Sequence, residues 1–230
     1  MRLDQYVATC TSLSRKDAKV AIARRRVRIN GVPCKEARHQ LDGSETVTLD
    51  QQPIALPGEV YLMLHKPAGV LSATRDSSQP TVTDLLPPDL APRVHPAGRL
   101  DKDTTGLLLL TSDGQWSHRV TSPRADCPKS YRVWLAEPLS SSAIERLEQG
   151  VQLKGEEAPT RPADVEIQEP TVIDLTIREG RYHQVKRMIA AVGSHVSALH
   201  RFRIGELTLD PELAPGQYRA LTESEIQAFR

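Results

Sequence analysis

A stretch of turn formers with no amphipathic period, Gln51-Gln52-Pro53 through Pro57-Gly58, divides the chain unequally and reads as a linker. The 230 residues are long for one compact domain and short for three, so the division predicts two domains, 1–58 and 59–230. Charge changes at the same place. Residues 1–58 carry ten basic and six acidic side chains, residues 59–230 carry 20 and 23, and the formal net charge of +1 conceals this asymmetry. A small basic module joined to a near-neutral body is the organisation this implies.

Several function classes are excluded by composition. No apolar run approaches the roughly 18 residues of a membrane span. Met1-Arg2-Leu3-Asp4 brings an early acid and no apolar stretch, unlike a signal peptide. Cys10, Cys34 and Cys127 are odd in number and far apart, and the seven histidines form no HExxH or HxH grouping. Neither a disulfide framework nor a thiolate zinc site fits that pattern. A reducing, cytoplasmic setting is expected, with no membrane partner.

In the leading module, Ser14-Arg15-Lys16-Asp17 reads as a capping box opening a helix to about Arg26. That helix turns Ala18, Ile22 and Val20 inward and Lys16, Lys19, Arg24, Arg25 and Arg26 outward. Val27-Arg28-Ile29 alternates like a strand, and Asn30-Gly31 is a strong hairpin signal because both central turn positions need positive φ. Such a surface suits phosphate tracking, although a solvated helix face has the same composition.

Beyond the linker the pattern predicts strands at Val60–His65, Gly106–Thr111, Lys129–Leu135, Val172–Ile177 and Val196–Arg203. Helices are expected over Ser140–Gln149 and Tyr182–Val192, and Thr222-Glu223-Ser224-Glu225 caps a last short one. Strands and helices that mix irregularly indicate an α+β fold rather than repeated βαβ units. The tripeptide Arg-Leu-Asp occurs twice, at 2–4 and 99–101, in different surroundings.

Three segments of the body could carry chemistry. Gly98-Arg99-Leu100-Asp101 stands on a loop just before the apolar run, where a strand fixes a carboxylate and the loop exposes it. A turn in which Asp101 or Asp103 only caps local amides fits the same pattern. A hard-cation site would need a third ligand, which the loop does not supply. From Arg181 to Arg203 there are five Lys or Arg and no acid. A carboxylate in a cleft walled by such a segment would be held ionised, since a cation within about 4–6 Å lowers its pKa by roughly 1–3 units. Lys129-Ser130-Tyr131 sets one of only nine aromatics among polar residues, where it can stack on an extruded base or serve as an ordinary core residue.

The leading pattern, from Arg2-Leu3-Asp4 through Ser14-Arg15, Ala18, Ile22, Val27–Val32, Leu41 and Val47, resembles the alpha-L RNA-binding domain first described in ribosomal protein S-four. Over almost its whole length, the chain resembles the RsuA family of ribosomal RNA pseudouridine synthases. The matching motifs are Gly98–Thr111, Lys129–Tyr131 and Gly180–Met188. Asp113 through Pro123 looks like the member acting on small-subunit (16S) rRNA more than its large-subunit relatives.

The resemblance implies a pseudouridine synthase body with a mixed, mainly antiparallel sheet behind the small RNA-binding domain. It makes Asp101 the nucleophile, Tyr131 the residue against the target uracil, and Lys186 the cation paired with Asp101. Arg99 would occupy the space of the flipped base or its phosphate. Arg15, Lys16, Lys19, Arg24, Arg25, Arg181 and Arg187 are the expected RNA contacts. The implied reaction isomerises one uridine of 16S rRNA, within a ribonucleoprotein assembly intermediate, by a monomer that needs no metal or other cofactor. A large-subunit rRNA synthase and a non-catalytic rRNA-binding assembly factor are the alternatives.

Overall fold

The computed structural model describes residues 1–122 and 126–229. Pro123, the last residue of the Asp113–Pro123 motif, lies outside the described residues. The chain divides into two compact units, Met1–Gly58 and Glu59–Arg230.

The first unit opens with two helices, α1 (Leu3–Cys10) and α2 (Arg15–Ala23). Four short strands follow, β1 (Val27–Ile29), β2 (Val32–Pro33), β3 (Val47–Leu49) and β4 (Gln52–Ile54), in the sheet order β2-β1-β3-β4. Leu3, Val7, Ala18, Ala21, Ile22, Val27, Leu41 and Val47 form its core. The hairpin turn at Asn30-Gly31 has positive φ at both residues, 49° and 82°, as its sequence requires. Ser14 caps α2 by accepting from the Asp17 amide at 3.1 Å.

Three expectations are corrected here. Helix α2 stops at Ala23 because Arg25 turns left-handed at φ 59°, so Arg24–Arg26 form the turn into β1. Val20 is exposed rather than inward. The first half of the expected linker is a strand: Asp50 and Gln51 reverse the chain at positive φ, and Pro53 stands opposite Thr48 in β4. A proline is tolerated there because β4 is an edge strand.

The body is built on a nine-stranded sheet. Its main strands are β5 (Tyr61–Lys66), β7 (Thr105–Thr111), β8 (Lys129–Leu135), β9 (Asp164–Glu169), β10 (Val172–Ile177), β11 (Val196–Ile204) and β13 (Tyr218–Ala220). They run in the order β13-β5-β7-β11-β8-β10-β9, with β6 (His95–Ala97) added to β7 and β12 (Leu207–Thr208) to β11. All pairings are antiparallel except β7 with β11. The fold is therefore α+β with a mixed, mainly antiparallel sheet.

The run Leu107–Leu110 is completely buried because β7 is covered on both faces. Leu108 and Leu110 join a core with Val133, Leu175, Leu147 of α4 (Ser141–Gln149) and Met188 and Ile189 of α5 (Gln184–Ala191). Leu107 and Leu109 face Trp116 and Val120 of α3 (Gly114–Thr121). The terminal helix α6 (Glu223–Gln227) carries the full capping box, Thr222 with Glu225. At Gly106 (φ 109°) a Cβ would stand 2.1 Å from the Arg201 carbonyl oxygen, so only glycine permits this approach of β7 to β11. No helix among the described residues is long and apolar enough to cross a membrane.

Candidate active site

Asp101 lies on the loop entering β7, and that loop is fastened on both sides. Upstream, Ser72 Oγ accepts from the Leu100 amide at 3.0 Å and donates to the Leu100 carbonyl at 2.9 Å. Downstream, the completely buried Lys66 ammonium donates to the carbonyls of Lys102 at 3.2 Å and Thr104 at 2.8 Å. It also donates to the Pro67 carbonyl at 3.0 Å. Burial brings the Lys66 pKa down to about 8. The backbone is held while the carboxylate stays partly open, 24% of its side chain being exposed.

Two cation-forming groups from the 181–187 segment converge on that carboxylate. Lys186 Nζ lies 3.2 Å from Asp101 Oδ2 and 2.6 Å from Asp103 Oδ1. His183 Nε2 lies 3.4 Å from Asp101 Oδ1. Burial would lower the Lys186 pKa, but the Asp103 and Asp101 carboxylates outweigh it and hold the ammonium above its ordinary value. The hydrogen bond from Lys186 keeps Asp103 below the usual carboxylate range. Lys186 thus bridges two acids with one ammonium. Among the described residues no group of three or more His, Cys, Asp or Glu is placed to hold a metal.

Tyr131, from β8, shares with Asp101, Arg99 and His183 the wall of a cleft of about 580 Å³. This is ample for one nucleotide. Behind the ring, Arg201 of β11 is almost completely buried. Its Nε donates to the Leu107 carbonyl at 2.9 Å, and its Nη1 lies 3.5 Å from the Tyr131 hydroxyl. Its Nη2 has no hydrogen-bond partner. Lys129 also lines the cleft, donating to the Cys127 carbonyl at 2.9 Å, and burial lowers its pKa.

The structure brings Asp101, Lys186, Tyr131, Arg99 and Arg181 into one region, and Arg181 and Arg187 also tie neighbouring segments together. Arg181 donates to the carbonyls of Ala158 and Pro159, both at 2.7 Å, and pairs with Glu179 at 3.1 Å. Arg187 holds Glu156, the Lys154 carbonyl and the Tyr182 carbonyl at 2.8, 2.8 and 3.0 Å. Both guanidinium groups tie segments together, and Arg181 also lines the cleft.

The expected helix at Tyr182 starts two residues later, because His183 is left-handed at φ 47° and sets the turn. In the first unit Lys16, Arg24 and Arg25 are exposed. Arg15 and Lys19 lean on Asp4 at 3.3 and 4.0 Å. Sequence reading missed Lys66, which looked like a strand end, and Arg201, which was counted only as part of a cationic segment.

A fastened loop presents a carboxylate to an ammonium, beside an aromatic ring in a cleft large enough to admit a nucleotide. The comparisons with known proteins place the chain: it belongs to the RNA pseudouridylate synthase family, which it matches over residues 60–191. Residues 1–47 match the S4 domain. The chain is 50% identical over 227 residues to ribosomal small subunit pseudouridine synthase A of Escherichia coli (strain K12), covering 98% of each protein. It is 46% identical to the protein of that name from Vibrio cholerae, over 100% of this chain and 99% of the other. A solved pseudouridylate synthase superposes with a TM-score of 0.74 at 43% identity, covering 100% of both chains. The family and the fold expected from sequence are those found.

Proposed function

We propose that this protein isomerises one uridine of 16S rRNA to pseudouridine, with Asp101 as the nucleophile. The observation that carries the reading is the Asp101 carboxylate, set on a backbone-tied loop in the cleft that Tyr131 lines and faced by Lys186 at 3.2 Å. The small-subunit assignment is supported by relatives of that name at 46–50% identity over nearly the whole chain.

In the reaction, the bond from C1′ to N1 breaks, a bond from C1′ to C5 forms, C5 loses its proton and N1 gains one. The uracil must detach and turn, which cannot happen inside a stack, so the base is extruded into the cleft at a cost of a few kcal/mol. Tyr131 offers a ring to stack on it. Asp101 attacks the uracil ring or the ribose C1′ and holds the fragments together while the base rotates. Lys186 pairs with the nucleophile and positions it, and Asp103 limits the freedom of that ammonium. Arg99, exposed at the cleft wall, meets the strand from which the base has been drawn. Lys16, Arg24 and Arg25, with Arg15 and Lys19, track the phosphates of the RNA. The protein acts as a monomer on an assembly intermediate of the small subunit, in the cytoplasm.

The test is to map pseudouridines in both rRNAs from cells lacking the chain, then restore either the wild type or Asp101→Asn. Loss of a single small-subunit pseudouridine, regained with the wild type and not with the variant, is the expected result. Loss of a large-subunit site instead, no loss at all, or rescue by Asp101→Asn would overturn the assignment.

A further inference from the structure

We propose that the Tyr182–His183 pair is a stacking platform for a nucleobase adjacent to the target uridine. This rests on the reading of the chain as a uridine isomerase and adds a subsite to it. Tyr182 is 76% exposed, more than any other large apolar side chain among the described residues. Its ring lies flat on that of His183, with centroids 3.8 Å apart and planes inclined by 20°. Both residues line the cleft, and His183 reaches to 3.4 Å from Asp101. One face of the tyrosine is thus covered by the imidazole that neighbours the nucleophile, and the other is open.

The turn that carries the pair is tied at several points. The Arg181 amide donates to Gln184 Oε1 at 2.8 Å, and Gln184 Nε2 donates to Glu179 at 2.8 Å. Arg187 grips the Tyr182 carbonyl at 3.0 Å. Arg181 ties the same turn to Ala158 and Pro159. The cations of this segment therefore preset the aromatic pair, so that little ordering cost remains when a partner docks.

Packing within the fold does not account for so exposed a ring, whereas the proposed reaction does. Extruding a base leaves each neighbour with an unstacked face. A fixed aromatic face at the mouth of the cleft replaces part of that lost stacking, and it tolerates any base because every base has a π-face. The glutamates nearest the turn, Glu179 and Glu156, are paired with Arg181 and Arg187.

The experiment uses the full chain and a synthetic RNA containing the mapped target uridine. Tyr182→Ala should raise KM by about 5- to 150-fold with kcat little changed, the range set by loss of one base–aromatic stack. Tyr182→Phe and Tyr182→Trp should keep the wild-type KM, and Tyr182→Leu should not. The melting temperature should stay constant, since the side chain is exposed. On RNA made abasic at one flanking position, the wild type and Tyr182→Ala should converge, and that position identifies the base on the platform. An unchanged KM in Tyr182→Ala, or a penalty that persists on both abasic RNAs, would overturn the platform. Product formation by the wild type on the same RNA separates that failure from failure of the proposed reaction.

Discussion

The chain contains Arg-Leu-Asp twice and uses it in two opposite ways. Asp4, in the first unit, is completely buried and saturated. Arg2 takes both of its oxygens, at 3.1 and 2.9 Å, Arg15 approaches at 3.3 Å and Lys19 at 4.0 Å. Asp101, in the body, keeps 24% of its side chain open and is approached by Lys186 and His183 at 3.2 and 3.4 Å. In the first copy the side chain is tied and the neighbouring arginine is the tie. In the second the backbone is tied, by Ser72 and Lys66, and the side chain is left for other work. A carboxylate among cations is a structural knot when its acceptors are all used, and a candidate nucleophile when the fold spends its hydrogen bonds on the loop instead.

That contrast predicts separable losses. Lys186→Met should reduce product formation by about 100-fold or more, because preorganised charge beside a reacting group is worth roughly that much. RNA affinity and melting temperature should change little. Single-turnover kinetics together with an RNA-binding titration makes the check, and a variant of near wild-type rate would mean that Asp101 works without its ammonium.

Asp4→Asn is the converse experiment, with a smaller effect. Removing one charge from a buried cluster leaves the others uncompensated, and the half-exposed partners limit the cost to about 2–3 kcal/mol. The first unit should unfold earlier in a melt, while the rate of the chemical step at low temperature stays that of the wild type. A fall in that rate without loss of stability would place Asp4 in the catalytic machinery and erase the distinction between the two copies.

What was legible in the sequence was whatever depends on local chemistry. The alternation of Lys129–Leu135, the Asn30-Gly31 turn and the capping box at Thr222 each decide their own structure within a few residues. The apolar run ending at Thr111 announced a central strand. The first-turn residues of α1, Leu3 and Asp4, gave no such signal, since that helix has no side-chain cap and depends on tertiary contacts. Gln52–Ile54 looked like linker because its strand character comes from pairing with β3.

At the site, resemblance supplied Asp101, Tyr131 and Lys186, but it could not show that Lys186 also bonds Asp103. The ties that Arg181 and Arg187 make to residues 154–159 were not legible, because a cation's partners across the fold leave no trace in sequence spacing. Lys66 was invisible for the same reason: the Lys102 and Thr104 carbonyls reach it only after β5 and β7 have paired.

Lys66 gives the smallest and sharpest test, because it is the reverse of Asp4: a buried cation held by neutral carbonyls rather than a buried anion held by cations. Burial drives its pKa down to about 8 from an ordinary 10.5. Between those values the unfolded chain binds a proton that the folded chain has released, so stability should rise as pH increases from 8 to 10.5, and below 8 the buried charge is a standing cost. Asp4 works at the other end. Burial pushes its pKa up, but Arg2 and Arg15 outweigh that and set it below 3.8. Its contribution is therefore present above that value and lost as pH falls through the folded one. Lys66→Met should flatten the alkaline slope in denaturant titrations of the body and leave the acid limb from Asp4 intact. Because the methionine also removes the donor that joins the Lys102 and Thr104 carbonyls, the loop behind Asp101 should loosen and kcat should fall several-fold with KM nearly constant. An alkaline slope that survives the substitution would show that another group titrates there, and an unchanged kcat would show that Ser72 alone suffices to aim the nucleophile.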